Sequence, residues 1–330
     1  MKTLLLTQEQ VSSLSNMKDV IQAVEDGYKA YNSGRVMQPD FIALPFEAPR
    51  GELDIKAGVD LNSDIISMKA SSGGFNENPE KCGLPAGINL VVLWDAKTSA
   101  ILTVMDGSMI TGYRTGAAGA VSVKYLARKD ARVLTIIGAG KQARNQVRAI
   151  REVHPIEQIV VNSRTEESMN RFKRDIESEF GIPVEIEPSK EKAVRRADIL
   201  ATVTRGKGSV VEASWVKPGT HVICIGTDMD GKQEVDSELF RKATIIVDAK
   251  NQAVSRGETH VAIKNGVITE EDVTGEIGEI CLGKLPGRTS DEEITLFDST
   301  GMAIQDNVMA ASVYRNAVKQ GIGTEFEFFK

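Results

Sequence analysis

Residues 133–143 read Val-Leu-Thr-Ile-Ile-Gly-Ala-Gly-Lys-Gln-Ala and carry the strongest structural signal in this chain. An apolar run of strand character enters a glycine-rich turn, and a helix-forming segment follows. Gly138 allows the tight turn, Gly140 lets a pyrophosphate approach the backbone, and Ala143 lets the helix pack closely on the strand. The segment therefore predicts the strand, turn and helix of a dinucleotide-binding unit.

The helix after this turn would direct its first N–H groups and the positive end of its dipole at the phosphates. The candidate cofactor-binding residues of the turn are Gly138, Gly140, Lys141, Gln142 and Ala143. A second strand, Gln158–Val161, begins about 20 residues later, as such a unit requires.

The tip of that second strand bears on which nucleotide binds. NAD-preferring sites usually carry Asp or Glu there, to accept hydrogen bonds from the adenosine ribose. The tip here reads Asn162-Ser163-Arg164 and has no carboxylate, whereas Arg164 is available for a 2′-phosphate. We therefore expect NADP(H) as the preferred cofactor. The alternative is a solvated Arg164 and an enzyme that accepts either NAD or NADP.

Composition narrows the class of protein. The 330 residues suffice for two domains. The balance of 40 basic and 46 acidic residues, without a basic block, argues against a nucleic-acid partner. No apolar run is long enough for a membrane span, and the first residues do not resemble a signal peptide. The three cysteines are far apart and the histidines lack metal-ligand spacing, so we expect a cytoplasmic protein with reduced thiols and no metal.

From Val133 to Asp298 short apolar strands alternate with amphipathic helices, which is the rhythm of a doubly wound parallel sheet. The predicted strands are Val133–Ile137, Gln158–Val161, Pro183–Ile186, Ile199–Thr202, His221–Ile225, Ile245–Val247 and Ile294–Leu296. The predicted helices between them include Glu166–Glu179 and Lys190–Arg196.

The first 130 residues read differently, as a helix followed by an antiparallel or mixed sheet. The predicted elements are the helix Asn16–Ser33 and the extended segments Leu53–Val59, Ile65–Ala70, Ile88–Trp94 and Ile101–Met105. We expect the last helix, Met302–Val318, to return to this domain. The prediction is thus an α/β chain: residues 116–303 form a Rossmann dinucleotide-binding domain, and residues 1–115 with 304–330 form an α+β domain for substrate binding and dimerisation.

Three cations are candidates for binding a substrate carboxylate. Arg114 is expected to open a helix of very small residues, where it could grip a carboxylate with two parallel hydrogen bonds. Lys56 and Lys69 lie in apolar strand-like runs, where a lysine is costly unless an anion accompanies it. The alternatives are an interdomain salt bridge for Arg114 and the wet face of a half-exposed sheet for either lysine.

Two further segments end predicted strands at the edge where α/β proteins bind ligands. Thr227 and Asp228 follow His221–Ile225, and Asp228 is our candidate for exchanging a proton with a substrate nitrogen. Ser299 to Gly301 follow Ile294–Leu296 and could contact the nicotinamide end of the cofactor. A plain strand-to-helix turn is the alternative for this second segment.

Together these segments resemble the ornithine cyclodeaminase/mu-crystallin superfamily along nearly the whole chain. The similar motifs are Met105-Asp106-Gly107, Arg114-Thr115-Gly116-Ala117-Ala118, Lys124-Tyr125-Leu126-Ala127-Arg128, the turn at Gly138, Gly226-Thr227-Asp228 with Gly231-Lys232-Gln233-Glu234, and Thr295 to Gly301. The resemblance implies a homodimer. It also implies that Arg114 and Lys69 bind the substrate carboxylate, that Asp228 is the catalytic aspartate, and that Thr115 contacts the cofactor.

The chain departs from the cyclodeaminase pattern at Lys56, where those enzymes carry a glutamate beside the substrate's amino groups. A lysine there would repel a diamine and attract a second carboxylate, and members that reduce iminosuccinate share a lysine in this region. We therefore expect an NAD(P)-dependent oxidoreductase that interconverts an α-imino acid and a small L-α-amino acid, dicarboxylic or not. The alternatives are an ornithine cyclodeaminase, which would release ammonia and form proline, and a binding protein of the crystallin type.

Overall fold

A computed structural model describes residues 2–45, 51–204, 208–226 and 232–328 of the chain. The chain divides into two compact units. Unit 1 comprises Met1–Arg114 and Met302–Lys330, and unit 2 comprises Thr115–Gly301. The roles expected for the two parts of the chain stay predictions.

The elements that precede the glycine-rich turn are β1 (Thr3–Leu6), α1 (Gln8–Ser13), α2 (Met17–Asn32), β2 (Val36–Met37), β3 (Ile42–Pro45), β4 (Glu52–Asp60), β5 (Ile65–Gly73), α3 (Asn78–Lys81), β6 (Asn89–Asp95), β7 (Ile101–Asp106) and α4 (Gly107–Leu126). The next elements are β8 (Val133–Ile137), α5 (Lys141–Val153), β9 (Gln158–Asn162), α6 (Glu166–Phe180), β10 (Val184–Ile186), α7 (Lys190–Arg196), β11 (Ile199–Thr202), β12 (His221–Cys224), β13 (Ala243–Val247), α8 (Lys250–Ala253), α9 (Gly257–Lys264), β14 (Gly275–Glu276), α10 (Ile277–Cys281) and β15 (Ile294–Asp298). The last two are α11 (Ala303–Gln320) and β16 (Thr324–Phe326), and 3-10 turns occur at Ala213–Trp215, Ser237–Lys242 and Glu270–Asp272.

Unit 1 is built on a mixed sheet in the order β16-β1-β7-β6-β5-β4-β2, with β3 also paired to β4. Neighbouring strands are antiparallel, except that β1 and β7 are parallel. Helix α11 packs on α2, β4 and β5. A Cβ at Gly27 would lie 3.3 Å from Ile304, so this glycine permits the close approach of α2 to α11.

The sequence of α2 explains why it forms and which face it buries. The Asn16 side chain caps its start by accepting from the N–H groups of Lys18 and Asp19. Its apolar residues recur at helical spacing, so one stripe is buried while Lys18, Asp19 and Asp26 are exposed. The buried residues of this stripe include Val20, Ile21, Val24 and Tyr28.

Unit 2 is a parallel sheet in the order β10-β9-β8-β11-β12-β15-β13-β14. The chain proceeds outward from β8 through β9 to β10 on one side and from β11 through β12 towards β14 on the other, with β15 inserted between β12 and β13, so the direction reverses between β8 and β11. Ligands of doubly wound sheets bind at the carboxyl ends of the strands at such a reversal. The expected doubly wound parallel sheet is confirmed, and all seven predicted strands of this region are present within a few residues.

One prediction about local structure is wrong, and one predicted strand ends a single residue early. Arg114 does not open a helix, because α4 already begins at Gly107 and Arg114 lies inside it. Any anion at Arg114 would therefore meet the guanidinium rather than the helix N-terminus. Ile225 lies beyond the end of β12.

No helix among the described residues has the length and apolar character that crossing a membrane requires.

Candidate active site

The glycine-rich turn of unit 2 has the backbone geometry that its sequence predicts. Gly138 adopts φ +117°, and a Cβ there would lie 2.8 Å from the carbonyl oxygen of Val203. Its N–H donates to the Asn162 carbonyl at 2.8 Å, which joins the turn to the end of β9. Only glycine fits this position without displacing the backbone of the neighbouring segment.

Gly140 differs from Gly138, because open space surrounds the position where its Cβ would be. No atom of the described chain lies within 4 Å of that position. Gly140 is also the N-cap of α5 and supplies no side chain to the N–H groups that begin this helix. Lys141 is exposed beside them, and Ala143 is fully buried on the opposite side. An open glycine cradle before an uncapped helix N-terminus fits the pyrophosphate of a dinucleotide.

The residues at the tip of β9 have different roles from one another. Asn162 donates its side-chain amide to the carbonyls of Glu187 (2.7 Å) and Pro188 (3.0 Å), so this amide group stabilises the loop after β10. The Ser163 hydroxyl accepts from Ser168 at 3.2 Å. Arg164 is exposed and makes no ion pair with any described residue.

Two other candidates for cofactor binding, Thr115 and Gln142, also belong to unit 2. The Thr115 carbonyl accepts from the Gln146 side chain at 3.0 Å. The Gln142 carbonyl oxygen Oε1 is buried and has no hydrogen-bond partner among the described residues. Burial without a partner is costly for such an atom, which is consistent with a missing donor at this place.

Ser299 and Gly301 are held at the carboxyl edge of the unit 2 sheet by one buried carboxylate. Asp248 accepts from the Ser299 hydroxyl (3.1 Å), the Thr300 hydroxyl (3.1 Å) and the Gly301 N–H (2.7 Å). Next to it, Asp298 accepts from the N–H and the hydroxyl of Thr259. Burial raises the pKa of Asp298 to about 7.

A second pair of buried carboxylates stabilises loops at this edge by accepting hydrogen bonds from backbone N–H groups. Glu234 accepts from the N–H groups of Thr204 and Gly226, and Glu258 accepts from the N–H groups of Glu234 and Val235. Burial raises the pKa of both carboxyls, and the neighbouring carboxylates raise that of Glu258 further. Thr227 and the proposed catalytic Asp228 lie outside the described residues.

In unit 1 the structure brings together two of the three predicted cations around a carboxylate that the sequence did not indicate. The Lys69 ammonium lies 2.8 Å from Oδ2 of Asp306, and Nε of Arg114 lies 3.1 Å from Oδ1 of the same residue. Lys69, Arg114 and Asp306 are 3%, 7% and 1% exposed. The three side chains come from β5, α4 and α11, so positions far apart in sequence form one buried cluster.

A glutamine and a tyrosine extend this cluster. Gln305 accepts from Nη1 of Arg114 at 3.1 Å and from the Met302 N–H at 2.8 Å, and its amide donates to the Tyr28 hydroxyl at 2.5 Å. Tyr28, Gln305 and Asp306 were missed at the sequence level. The available signal was the run of three consecutive polar residues, Gln305-Asp306-Asn307, in the first turns of an amphipathic helix.

The charges of the cluster shift one another's pKa values. Burial lowers the pKa of Lys69 to about 7; the positive charges of Arg114 and Lys56 act in the same direction, and Asp306 opposes them. Burial would raise the pKa of Asp306, but Lys69 and Arg114 outweigh it and the net shift is downward. Asp306 is therefore a carboxylate at neutral pH, and Lys69 is close to its midpoint of protonation.

Lys56 lies directly opposite Lys69 in the antiparallel pair of β4 and β5, so both side chains are on one face of the sheet. Its ammonium lies 5.5 Å from the centre of the Phe41 ring. Lys69 is buried, so it does not lie on a solvent-exposed face of the sheet, whereas Lys56 is half-buried. Like charges opposite one another in a sheet are unfavourable, and an anion near them would relieve the repulsion.

Comparison with known proteins agrees with this architecture. The family model for the ornithine cyclodeaminase/mu-crystallin family matches residues 1–321. A solved archaeal alanine dehydrogenase dimer with bound NAD is 41% identical, with a TM-score of 0.94 over 100% of both chains. The Thermococcus litoralis Delta(1)-pyrroline-2-carboxylate reductase, solved with NADH and L-proline, is 34% identical, with a TM-score of 0.92 over 98% of this chain and 99% of that one. The iminosuccinate reductase of Paracoccus denitrificans is 34% identical over 98% of this chain and 99% of its own length.

The chain belongs to the ornithine cyclodeaminase/mu-crystallin family. Within that family it is an NAD(P)-dependent oxidoreductase of α-imino and α-amino acids, the class to which these full-length relatives belong. The ornithine cyclodeaminase alternative is less well supported: the alanine dehydrogenase and the two imine reductases are 33–41% identical, whereas the cyclodeaminase matches include an uncharacterized relative at 33% and a lysine cyclodeaminase structure at 26%.

Proposed function

We propose that this enzyme reduces a small α-imino acid to the L-α-amino acid, with the substrate α-carboxylate bound by Arg114 and Lys69. The observation that carries the proposal is the buried cationic pair of β5 and α4, which shares the carboxylate of Asp306. After its bonds to Asp306 and Gln305, Arg114 keeps the donors on Nη2, and Lys69 keeps further ammonium hydrogens. A carboxylate is the anion whose geometry suits this pair of donors.

Lys56 extends the proposal to the substrate side chain. Because Lys56 stands opposite Lys69 on one sheet face, a substrate carboxylate on Lys69 leaves a second cationic position within reach on the same face. We infer that the preferred substrate carries a second carboxylate. The iminosuccinate reductase relative acts on a substrate of this kind.

The proposed reaction needs a hydride and a proton. A nicotinamide cofactor, when bound to unit 2, supplies the hydride that reduces the imine carbon. The chain must orient the imine through its carboxylate and deliver one proton to the nitrogen, and we assign that proton to Asp228. Amino-acid oxidation is the same reaction in reverse, with the proton returned to Asp228.

The cofactor site comprises the turn at Gly138 and Gly140, the neighbouring positions and the tip of β9. The remaining residues in this assignment are Thr115, Lys141, Gln142, Ala143, Asn162, Ser163, Arg164, Thr227, Ser299 and Gly301. We propose a preference for NADP(H), which the exposed Arg164 supports because it has no ion pair with a described residue to give up. Replacing Arg164 with Ala should weaken NADPH binding and leave NADH binding almost unchanged, and equal effects on both cofactors would contradict the preference.

We propose a homodimer formed through unit 1. Apolar side chains on its sheet are exposed in the single chain, among them Ile42 and Leu44 on β3 and Leu90 on β6, and the archaeal alanine dehydrogenase relative is a dimer. A second copy of this chain is the partner that would cover them. Light scattering on the purified protein should give twice the mass of one chain, and a monomer would overturn the assignment.

The first experiment follows the absorbance of NADPH or NADH with ammonia and one of pyruvate, glyoxylate or oxaloacetate. We expect ammonia-dependent oxidation of the cofactor, fastest with oxaloacetate. No oxidation with any acid, together with ammonia release from ornithine, would replace the proposal with a cyclodeaminase.

The role of Lys56 is tested by Lys56→Gln. The variant should lower kcat/KM for the dicarboxylic substrate at least tenfold more than for pyruvate, because only the former would use this lysine. Lys97→Gln is the matched control, since Lys97 is an exposed lysine of the same unit that pairs with Asp64. Equal losses with both acids would exclude Lys56 as a second carboxylate anchor.

A further inference from the structure

The carboxylate of Asp306 contacts two cations that the proposed function assigns to the substrate. Its two oxygens are divided between them, Oδ2 on Lys69 and Oδ1 on Arg114. Each oxygen of Asp306 thus lies against one cation, and the residue is 1% exposed. We propose that Asp306 is a positioning residue that keeps Lys69 protonated and Arg114 oriented for the substrate carboxylate. This inference rests on the proposed function.

The start of α11 fixes where this carboxylate lies. Gln305 accepts from the Met302 N–H, which closes the first turn of the helix, and accepts from Arg114 with the same oxygen. Its amide donates to the Tyr28 hydroxyl on α2. Contacts within α11 and with α2 therefore fix Gln305, which in turn orients Arg114. Asp306 also lies in the first turns of α11, where the helix dipole favours an anion.

Among the described residues, the charged groups that act on Lys69 come from α11, α4 and β4. Helix α11 contributes Asp306, α4 contributes Arg114, and β4 contributes Lys56 at the opposite register position. On its other side β6 places Val91 opposite Lys69. Asp306 is thus the anion that balances two neighbouring cations. Without it, burial and those cations would lower the pKa of Lys69 below its present value of about 7.

The test is the pH profile of kcat/KM for the imino acid in the wild type and in Asp306→Asn. The wild-type profile should fall as pH rises through about 7, because the free enzyme loses the Lys69 proton there. In Asp306→Asn that limb should move to lower pH, and kcat/KM at neutral pH should fall about thirtyfold or more, as on removal of one partner from a buried charge pair. The Kd for NADPH should stay within about twofold. Tighter substrate binding in the variant would overturn the proposal, because it would mean that Asp306 merely competes with substrate.

Lys69→Arg separates positioning from a general loss of structure. A guanidinium stays protonated throughout the accessible pH range, so the part of the alkaline limb that depends on Lys69 should disappear in Lys69→Arg. Adding Asp306→Asn to that background should then shift no limb. If the shift persists in the double variant, the titrating group is not Lys69 and the proposal fails.

Two controls address folding. Glu25→Gln removes another buried carboxylate of unit 1, whose ion pair with Lys29 at 2.8 Å includes no residue of the cluster, and it should leave the profile unchanged. If Asp306→Asn does not fold, Asp306→Glu keeps the charge and should retain the wild-type limb. A 13C-labelled Lys69 side chain also reports its own titration without turnover. An inactive wild type would contradict the proposed function, whereas an active wild type with an unmoved limb in Asp306→Asn would contradict only the role of Asp306.

Discussion

The two units bury charge in opposite ways. At the carboxyl edge of unit 2 four acidic side chains are buried, and each is bonded to backbone N–H groups: Glu234, Asp248, Glu258 and Asp298. In unit 1 the buried cluster is cationic, and its bonds join side chains from three elements. The first arrangement replaces missing backbone partners and so stabilises loops. In the second, the Nη2 group of Arg114 makes no hydrogen bond to a described residue.

Under the proposed function, this difference separates carboxylates that stabilise loops from cations that bind the substrate. A buried carboxylate whose oxygens accept from main-chain N–H groups has no remaining task for a ligand, even where its pKa is strongly raised. Glu258 is such a case, since its two oxygens accept from the N–H groups of Glu234 and Val235 although its pKa is raised well above the usual range. Arg114 instead keeps part of its guanidinium beyond its bonds to Asp306 and Gln305. The remaining bonding capacity of a buried charge, rather than its pKa shift, is the better guide to function here.

The largest expected effect is the loss of Arg114. Arg114→Met should lower kcat/KM by about 10² to 10³, because removing one member of a buried charge pair costs about 2–5 kcal/mol. The Kd for NADPH, measured by fluorescence titration, should not change. Arg148→Met is the control, since Arg148 forms a partly exposed pair with Glu179. If Arg114→Met kept the wild-type kcat/KM, Arg114 would not bind the substrate, and the two units would not differ in the role of their buried charges.

The second test compares the two glycines of the turn. Gly138→Ala should lower the free energy of unfolding by about 1–3 kcal/mol, because it combines φ +117° with a clash against the Val203 carbonyl. Gly140→Ala has an ordinary φ of −86° and open space, so it should unfold like the wild type. It should nevertheless bind NADPH at least tenfold more weakly, because its methyl group would occupy the place expected for the pyrophosphate. Wild-type affinity in Gly140→Ala would contradict the cradle assigned to this turn.

The third test uses the pH dependence of stability. The folded-state pKa of Asp298 is raised from 3.8 to about 7, so the unfolded chain releases this proton at lower pH than the folded one. Ionisation therefore favours unfolding progressively between pH 4 and 7. Asp298→Asn should become more stable relative to the wild type over that range and show a constant difference above it. Denaturant unfolding at several pH values measures the difference, and a flat one would mean that Asp298 is ionised in the fold at low pH.

The smallest effect concerns the tip of β9. Asn162→Ala removes the bonds to the Glu187 and Pro188 carbonyls and should lower the free energy of unfolding by about 0.5–1.5 kcal/mol, the net contribution of a typical hydrogen bond. Arg164→Ala should leave stability unchanged, since Arg164 is exposed. Equal stability of the two variants, by thermal unfolding, would show that the Asn162 bonds are not structural.

The fold of unit 2 was predictable because its signals are local. Each strand is a short apolar run between turn residues, and Gly138 with Gly140 marks the first turn unambiguously. Local signals also misled in one place. The small residues after Arg114 suggested a helix start, but α4 runs on from Gly107 because nothing in the intervening residues stops it.

The site of unit 1 was predictable only in part. Lys69 and Arg114 were identifiable, because a charge in an apolar segment needs a reason to be there. Their counter-ion was not, since Asp306 lies 192 residues beyond Arg114 in the chain. Helical periodicity alone does not say which of three consecutive polar residues, Gln305, Asp306 and Asn307, faces a cation.

The sequence by itself determined the doubly wound sheet, the dinucleotide turn and the residue types that could bind a carboxylate, because these depend on patterns within a few turns of chain. Only the tertiary structure decided that Asp306 neutralises part of the cationic cluster, that Gln305 and Tyr28 hold Arg114, and that Asn162 stabilises a loop. The physical reason is that burial and charge pairing are properties of neighbours in space. Strands β4 and β5 and helices α4 and α11 had to pack before those neighbours existed.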